Sequence, residues 1–148
     1  MMHIHSLGRA ARYYADCGAI GTNGRYSTFR QLHDRVAGIV GALTRHGFQR
    51  GDRLALLLPI EPDYLELIYA CAWLGVIAVP VNARLSVAEI DHILADASPR
   101  GVVRHSSLPA PTVQLAWQRV LDKEPLDATD APCPDPIYDP NEIGRAHV

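Results

Sequence analysis

Leu54-Ala55-Leu56-Leu57-Leu58, closed by Pro59, and Val76-Ile77-Ala78-Val79, closed by Pro80, decide the fold. A strand with one wet face alternates apolar and polar residues. These two runs do not alternate, so both of their faces must be covered, as happens in parallel sheets flanked by helices. Between them Pro62 opens a helix over 63–74, apolar on nearly every side through Tyr64, Leu65, Leu67, Ile68, Ala70, Cys71 and Trp73. Gly75 stops it. Downstream, Ser86 and Glu89 form a capping box for a second helix that buries Val87, Ile90, Ile93, Leu94 and Ala97. Ser98-Pro99 ends that helix, and Val102-Val103 makes a third short strand. The order β-α-β-α-β predicts right-handed crossovers in a doubly wound α/β sheet. A helix as apolar as 63–74 also points to a packing neighbour beyond this chain, and truncation is expected to leave that helix or a sheet edge without its cover.

Upstream, Asn23-Gly24 suits the two positive-φ positions of a type I′ turn, so residues 19–22 and 25–28 read as a small β-hairpin. Thr28 and Gln31 form another capping box, followed by a stripe of Phe29, Leu32, Val36, Ile39, Val40 and Leu43 at helical spacing. Gly47 supplies the stop. Ser6 to Asp16 reads as a short helix with Leu7, Ala10, Ala11 and Tyr14 on one side.

The 148 residues are 48% hydrophobic and 20% charged with net charge −2, which excludes a wholly disordered chain and argues against non-specific nucleic-acid binding. No apolar run reaches the roughly twenty residues of a membrane span, and the N-terminus lacks the features of a signal peptide. Cys17, Cys71 and Cys133 are too few and scattered for a disulfide framework, so a cytoplasmic location is expected. Charge and proline are skewed. Residues 122–142 hold seven acids and one base, and eight of the eleven prolines lie at or after Pro99. The chain thus divides into a compact α/β part, 1–106, and a Pro-rich acidic connecting segment, 107–142, read as loop with little core of its own.

Complete catalytic motifs are missing from the sequence. Gly18, Gly21 and Gly24 have the wrong spacing for a dinucleotide fingerprint, and no Walker loop or nucleophile elbow occurs. His3-x-His5 could pair two imidazoles on a metal but sits at a chain end. Cys71 reads as a small core hydrophobe, and His33, His46 and His92 as solvated helix-surface residues. His105 lies just past a strand's C-terminal end without an identifiable partner. The acids of the tail, interleaved with prolines, read as a solvated linker. Arg84, in Val81-Asn82-Ala83-Arg84-Leu85, follows the second strand on the side where open α/β sheets bind ligands, and its guanidinium suits phosphate or carboxylate unless a salt bridge occupies it.

The order of these pieces resembles the opening of the AMP-forming acyl-CoA synthetases, within the adenylate-forming ligase superfamily. Three segments carry the resemblance: Arg25-Tyr26-Ser27-Thr28-Phe29-Arg30-Gln31-Leu32, Gly51-Asp52-Arg53 through Pro59, and Tyr64-Leu65-Glu66-Leu67 through Ser86. The likeness runs continuously from about residue 5 to residue 142. It implies the N-terminal portion of that fold, truncated. The parent would activate a carboxylic acid, with a fatty acid expected, as its acyl-adenylate and pass it to the thiol of CoA. ATP, CoA and Mg²⁺ are implied for the parent and none is expected on the fragment, whose phosphate loop would begin just past Asp139-Pro140-Asn141-Glu142. Of the family's binding positions only Arg84 has a counterpart, as a contact to a CoA phosphate; no catalytic or metal-binding residue carries over. The fragment is expected to be inactive, with the missing remainder of the chain as its packing partner. Ile143-Gly144-Arg145-Ala146-His147-Val148 is what ATC GGA AGA GCA CAC GTC encodes, a string matching a widely used sequencing adapter. Residues 143–148 therefore read as adapter translation. The alternative is a small flavodoxin-like ligand-binding or interaction module.

Overall fold

The computed structural model describes residues 4–126. In chain order the elements are α1 (Ile4–Tyr13), β1 (Gly18–Thr22), β2 (Arg25–Thr28), α2 (Phe29–Arg45), β3 (Arg53–Leu57), α3 (Pro62–Leu74), β4 (Ile77–Pro80), α4 (Val87–Ala97), β5 (Gly101–Arg104) and β6 (Trp117–Val120). β1 and β2 form an antiparallel pair, and the other four strands form one sheet of order β4-β3-β5-β6, parallel throughout.

The central strand shows why its sequence has no polar position. Leu54, Leu56 and Leu58 join a core with α1, α2 and α3 on one face, while Ala55 and Leu57 join Ile90 and Leu94 of α4 on the other. β5 repeats the pattern, with Val103 on the first face and Val102 on the second. From β3 the chain steps one place to β4, then returns past β3 to β5. Crossovers of the same hand in opposite directions place α3 and α4 on opposite faces.

Both capping boxes form as the sequence predicts. The Thr28 hydroxyl accepts from the Gln31 amide at 3.2 Å, and Ser86 and Glu89 cap α4 in the same way. Asn23 and Gly24 hold φ of 50° and 76°, the turn their pairing predicts. α3 ends at Gly75 in the left-handed region, with φ 70°.

Pro80 has a reason of its own. The amides of Ile77 and Val81 donate to the carbonyls of Asp52 and Leu56 on the β3 side. Alternation turns Ala78 and Pro80 toward the open edge, where Pro80 has no N–H to offer. The edge is thereby left with a single strand donor, at Ala78, which discourages addition of another strand.

Two expectations need correction. The helix over 63–74 is not left bare: α3 packs on α2 and α1, and none of the large exposed apolar residues belongs to it. The uncovered apolar surface lies elsewhere, at Ile77 on the sheet edge, 49% exposed, and at Ile60 and Val87. Nor is the stretch after residue 106 only loop. It supplies β6, and Leu108, Val113, Leu115, Trp117 and Leu121 pack against the two cores, with Leu126 buried in the first. Trp117 anchors this addition edge-to-face on Phe48 at 5.2 Å and beside His46 at 5.3 Å. His46 is therefore not simply solvated. Its Nε2 accepts from Arg119 at 2.9 Å, and desolvation followed by the charges of Arg119 and Arg45 lowers its pKa. His33 is half-buried beside Trp73, with ring centroids 5.4 Å apart. The remaining residues of the connecting segment, 127–142, and the adapter-like 143–148 lie outside the described residues, as do the side chains of His3 and His5.

β5 and β6 approach closely because Gly101 has no side chain. A Cβ there would lie 2.7 Å from Trp117 Cε3 and 2.8 Å from the Trp117 carbonyl oxygen. Gly101→Ala is expected to lose about 2 kcal/mol, since a backbone atom cannot swing aside. Urea unfolding should show the loss as a lower midpoint at unchanged slope.

Candidate functional site

In a sheet of this order the chain reverses direction between β3 and β5, and the crevice at their C-terminal ends is where open α/β sheets take ligands. A small cavity of about 60 Å³ opens there, lined by Pro59 and Glu61 after β3, Asp63 at the start of α3, His105 after β5 and Asp122 after β6.

The polar groups around it are mutually fixed. The Asp122 carboxylate accepts from the Ser106 amide at 2.8 Å and from the Ser106 hydroxyl. Those bonds hold the Asp122 pKa down to about 2, with the positive tendency of His105 adding to them. Nδ1 of His105 lies 2.7 Å from Ser107 Oγ and accepts from the Ser107 amide at 3.1 Å. Its other nitrogen, Nε2, faces Asp122 Oδ1 at 4.0 Å, and Lys123 Nζ lies 3.9 Å from Asp122 Oδ2. His105 therefore gains the partners its sequence context did not supply. Asp122, read as part of a solvated acidic linker, instead clasps the β5 loop.

Arg84 lies one strand away, after β4. The Asn82 side chain accepts from its amide at 2.9 Å, shaping the loop as an Asx turn. Its guanidinium is exposed and has no hydrogen-bond or ion-pair partner among the described residues. It stands apart from the His105 cavity and does not line it.

Two further polar features are structural. Glu66 is the one buried charged residue among those described, 3% exposed, and takes a forked pair of bonds from Arg35, 2.6 Å to Oε1 and 3.0 Å to Oε2. Arg35 also reaches Asp63, so the pair staples α2 to α3 on the floor of a groove of about 1010 Å³ beside the hairpin. Cys71 is buried, and desolvation pushes its thiol up to about 12, which leaves it a core hydrophobe. Among the described residues no group of three or more His, Cys, Asp or Glu could hold a metal ion, and no helix is long and apolar enough to cross a membrane.

Asp122, Ser106 and Ser107 escape the sequence because their meeting needs β6 beside β5. The usable signal was a short apolar-flanked segment, Trp117 to Leu121, followed by an acid level with Ser106.

A family model described as AMP-binding enzyme matches residues 7–143. The chain is 41% identical over 130 residues to a feruloyl-CoA synthase from Amycolatopsis, covering 86% of this chain and 26% of that relative. It is 38% identical over 78 residues to the long-chain-fatty-acid–CoA ligase FadD13 of Mycobacterium tuberculosis, covering 53% of this chain and 15% of that protein. Its fold superposes on the N-terminal domain of FACL13 from Mycobacterium tuberculosis with a TM-score of 0.78 at 25% identity, over 94% of this chain and 39% of that one. The chain thus spans about a quarter of the length of the first curated relative.

Because the Asp122 pKa is depressed on folding, the clasp contributes stability above the usual carboxylate range and loses it as pH falls toward about 2. Asp122→Asn should therefore be less stable than wild type at neutral pH, with the gap closing on acidification. Acid titration followed by circular dichroism checks this; a gap that stays constant down to the lowest pH would contradict it.

Proposed function

Because the chain belongs to the AMP-binding enzyme family, we propose that it is the opening segment of an AMP-forming acyl-CoA synthetase. The parent joins a carboxylic acid to the α-phosphate of ATP, releases pyrophosphate, and passes the acyl group to the thiol of CoA. The observation that carries this reading is the family match along residues 7–143, nearly the whole chain.

The described residues fit one of the implied groups and not another. Arg84, exposed at the ligand edge and without a partner among the described residues, fits a phosphate of CoA. Nothing there fits the triphosphate of ATP. Phosphate cradles need backbone amides at close approach, which glycine permits. The loops after β3, β4 and β5, and residues 121–126 after β6, contain no glycine. Gly47, Gly51, Gly75 and Gly101 all lie at the opposite, N-terminal edge. We place the ATP grip in sequence past Asn141, which would leave the segment alone inactive. Loss of that grip removes the positioning and charge stabilisation on which phosphoryl chemistry depends.

For the acid, the 41% likeness over most of the chain favours an aromatic acid of the feruloyl kind, and the shorter 38% likeness supports the fatty acid expected from the sequence. ATP–pyrophosphate exchange by the 148-residue chain with ferulate or palmitate should sit at background; clear exchange would refute inactivity. The gene downstream of the Glu142 codon should encode a Gly/Ser/Thr-rich turn, and its absence would refute the family function.

In the full-length parent, Arg84→Ala should raise the KM for CoA by about tenfold or more, the worth of one charge-assisted contact, against a smaller change in pyrophosphate exchange. Equal effects on both would remove Arg84 from the CoA site.

A further inference from the structure

Beside the β3/β5 crevice a serine–histidine pair from the end of β5 stands next to an aspartate from the end of β6. A backbone amide can only donate, so the bond from the Ser107 N–H leaves His105 Nδ1 unprotonated and puts the ring proton on Nε2. The Ser107 hydroxyl, 2.7 Å away, is the nearer group and donates to the same Nδ1 lone pair, which it shares with the amide. Nε2–H faces Asp122 Oδ1 at 4.0 Å, and Asp122 is held in place by the Ser106 amide and hydroxyl. Nucleophile and base are within hydrogen-bond reach, while the carboxylate, too far from Nε2 for a hydrogen bond, fixes the loop that carries the ring through Ser106. Ser107 is exposed, and the His105 ring is about a third exposed, so a small reagent can reach both.

We infer that Ser107 is an acyl-acceptor nucleophile for small activated esters, with His105 as its base and Asp122 as a positioning residue. Ser107 Oγ forms a bond to the acyl carbonyl carbon as its proton passes to Nδ1. The bond from that carbon to the leaving oxygen breaks, and the proton departs from Nδ1 to the leaving group or to water.

The same loop sets the limit of the activity. The Ser106 amide is bound to Asp122, the Ser107 amide to Nδ1, and the Leu108 amide to the His105 carbonyl. None of the three is free to stabilise an oxyanion. Acylation is therefore confined to donors whose leaving group is a weak base, and the acyl-serine accumulates instead of turning over. This is a one-equivalent modification site, not a hydrolase, and it stands whether or not the parent is a CoA ligase.

The test uses the whole 148-residue chain and 4-nitrophenyl acetate, reading the nitrophenolate burst together with peptide mapping by mass spectrometry. The expected result is a single acetyl group on Ser107, formed about 100-fold or more faster than on Ser98, an exposed serine whose hydroxyl meets only the Ala95 carbonyl. Ser107→Ala should abolish the burst. His105→Gln, whose amide oxygen can still accept a hydrogen bond, should slow it by about 100-fold with an unchanged circular dichroism spectrum. Asp122→Asn, which releases the Ser106 clasp, should slow the burst by a smaller factor than His105→Gln, and Asp122→Glu should restore part of it. Equal labelling of Ser98 and Ser107, labelling confined to Lys123, or a Ser107 rate unchanged in His105→Gln would overturn the inference. The comparison of two serines within the wild-type sample decides the matter even where a variant fails to fold.

Discussion

Everything in this molecule depends on keeping β3 dry on both faces. Leu54, Leu56, Leu57 and Leu58 are each 4% exposed or less, and Ala55 is fully buried. One strand cannot achieve that alone. It needs β4 and β5 to take up its amides and carbonyls, and a layer of helix above and below. The helical layers follow from chain direction: α3 returns the chain on one side, α4 on the other. Removing water from five consecutive apolar side chains contributes roughly 1.5–3 kcal/mol for each large one, which far exceeds the caps and surface ion pairs elsewhere. The caps set where helices begin; the leucines set that they must pack.

Much of this was legible because it is written locally. Runs without alternation, the Thr28/Gln31 and Ser86/Glu89 boxes, the Asn23-Gly24 turn and the Gly75 stop each act over a few residues, and each has its predicted geometry. β6 was hidden for the opposite reason. Trp117-Gln118-Arg119-Val120 is short, half polar and preceded by a proline-rich stretch, so its composition reads as loop. It becomes a strand because Gly101 lets it come close and because Phe48 and His46 provide a surface for Trp117. Those partners are distant in sequence, and no local window contains them.

The site was legible in part for the same reason. Arg84 could be placed from its own loop, since a residue following a strand into a helix must lie at the ligand edge. His105 could be placed there too, but not its partners. Ser107 is two residues away and looked like any turn serine. Asp122 carried the wrong expectation, because an acid among prolines is normally solvated. Only the β5–β6 register, with Arg104 level with Val120, brings the Asp122 carboxylate to the Ser106 amide.

The two ends of the sheet have taken on different work. At the N-terminal edge glycines permit tight backbone turns, Gly51 at φ 89° before β3 and Gly75 at φ 70° before β4, and the chain passes between layers in few residues. At the C-terminal edge the loops carry side-chain chemistry instead: an exposed arginine, a serine–histidine pair and a clasped aspartate. A loop without glycine presents side chains and holds its backbone away from a ligand. That edge can therefore grip an anion with a guanidinium or offer a hydroxyl, but it cannot wrap amides around a polyphosphate. The leucines of β3 and the glycines before it thus answer different demands, one for burial and one for tight turning. The separation is physical, since the apolar runs that fold the sheet and the glycine-rich turns that cradle phosphate place incompatible demands on the same residues.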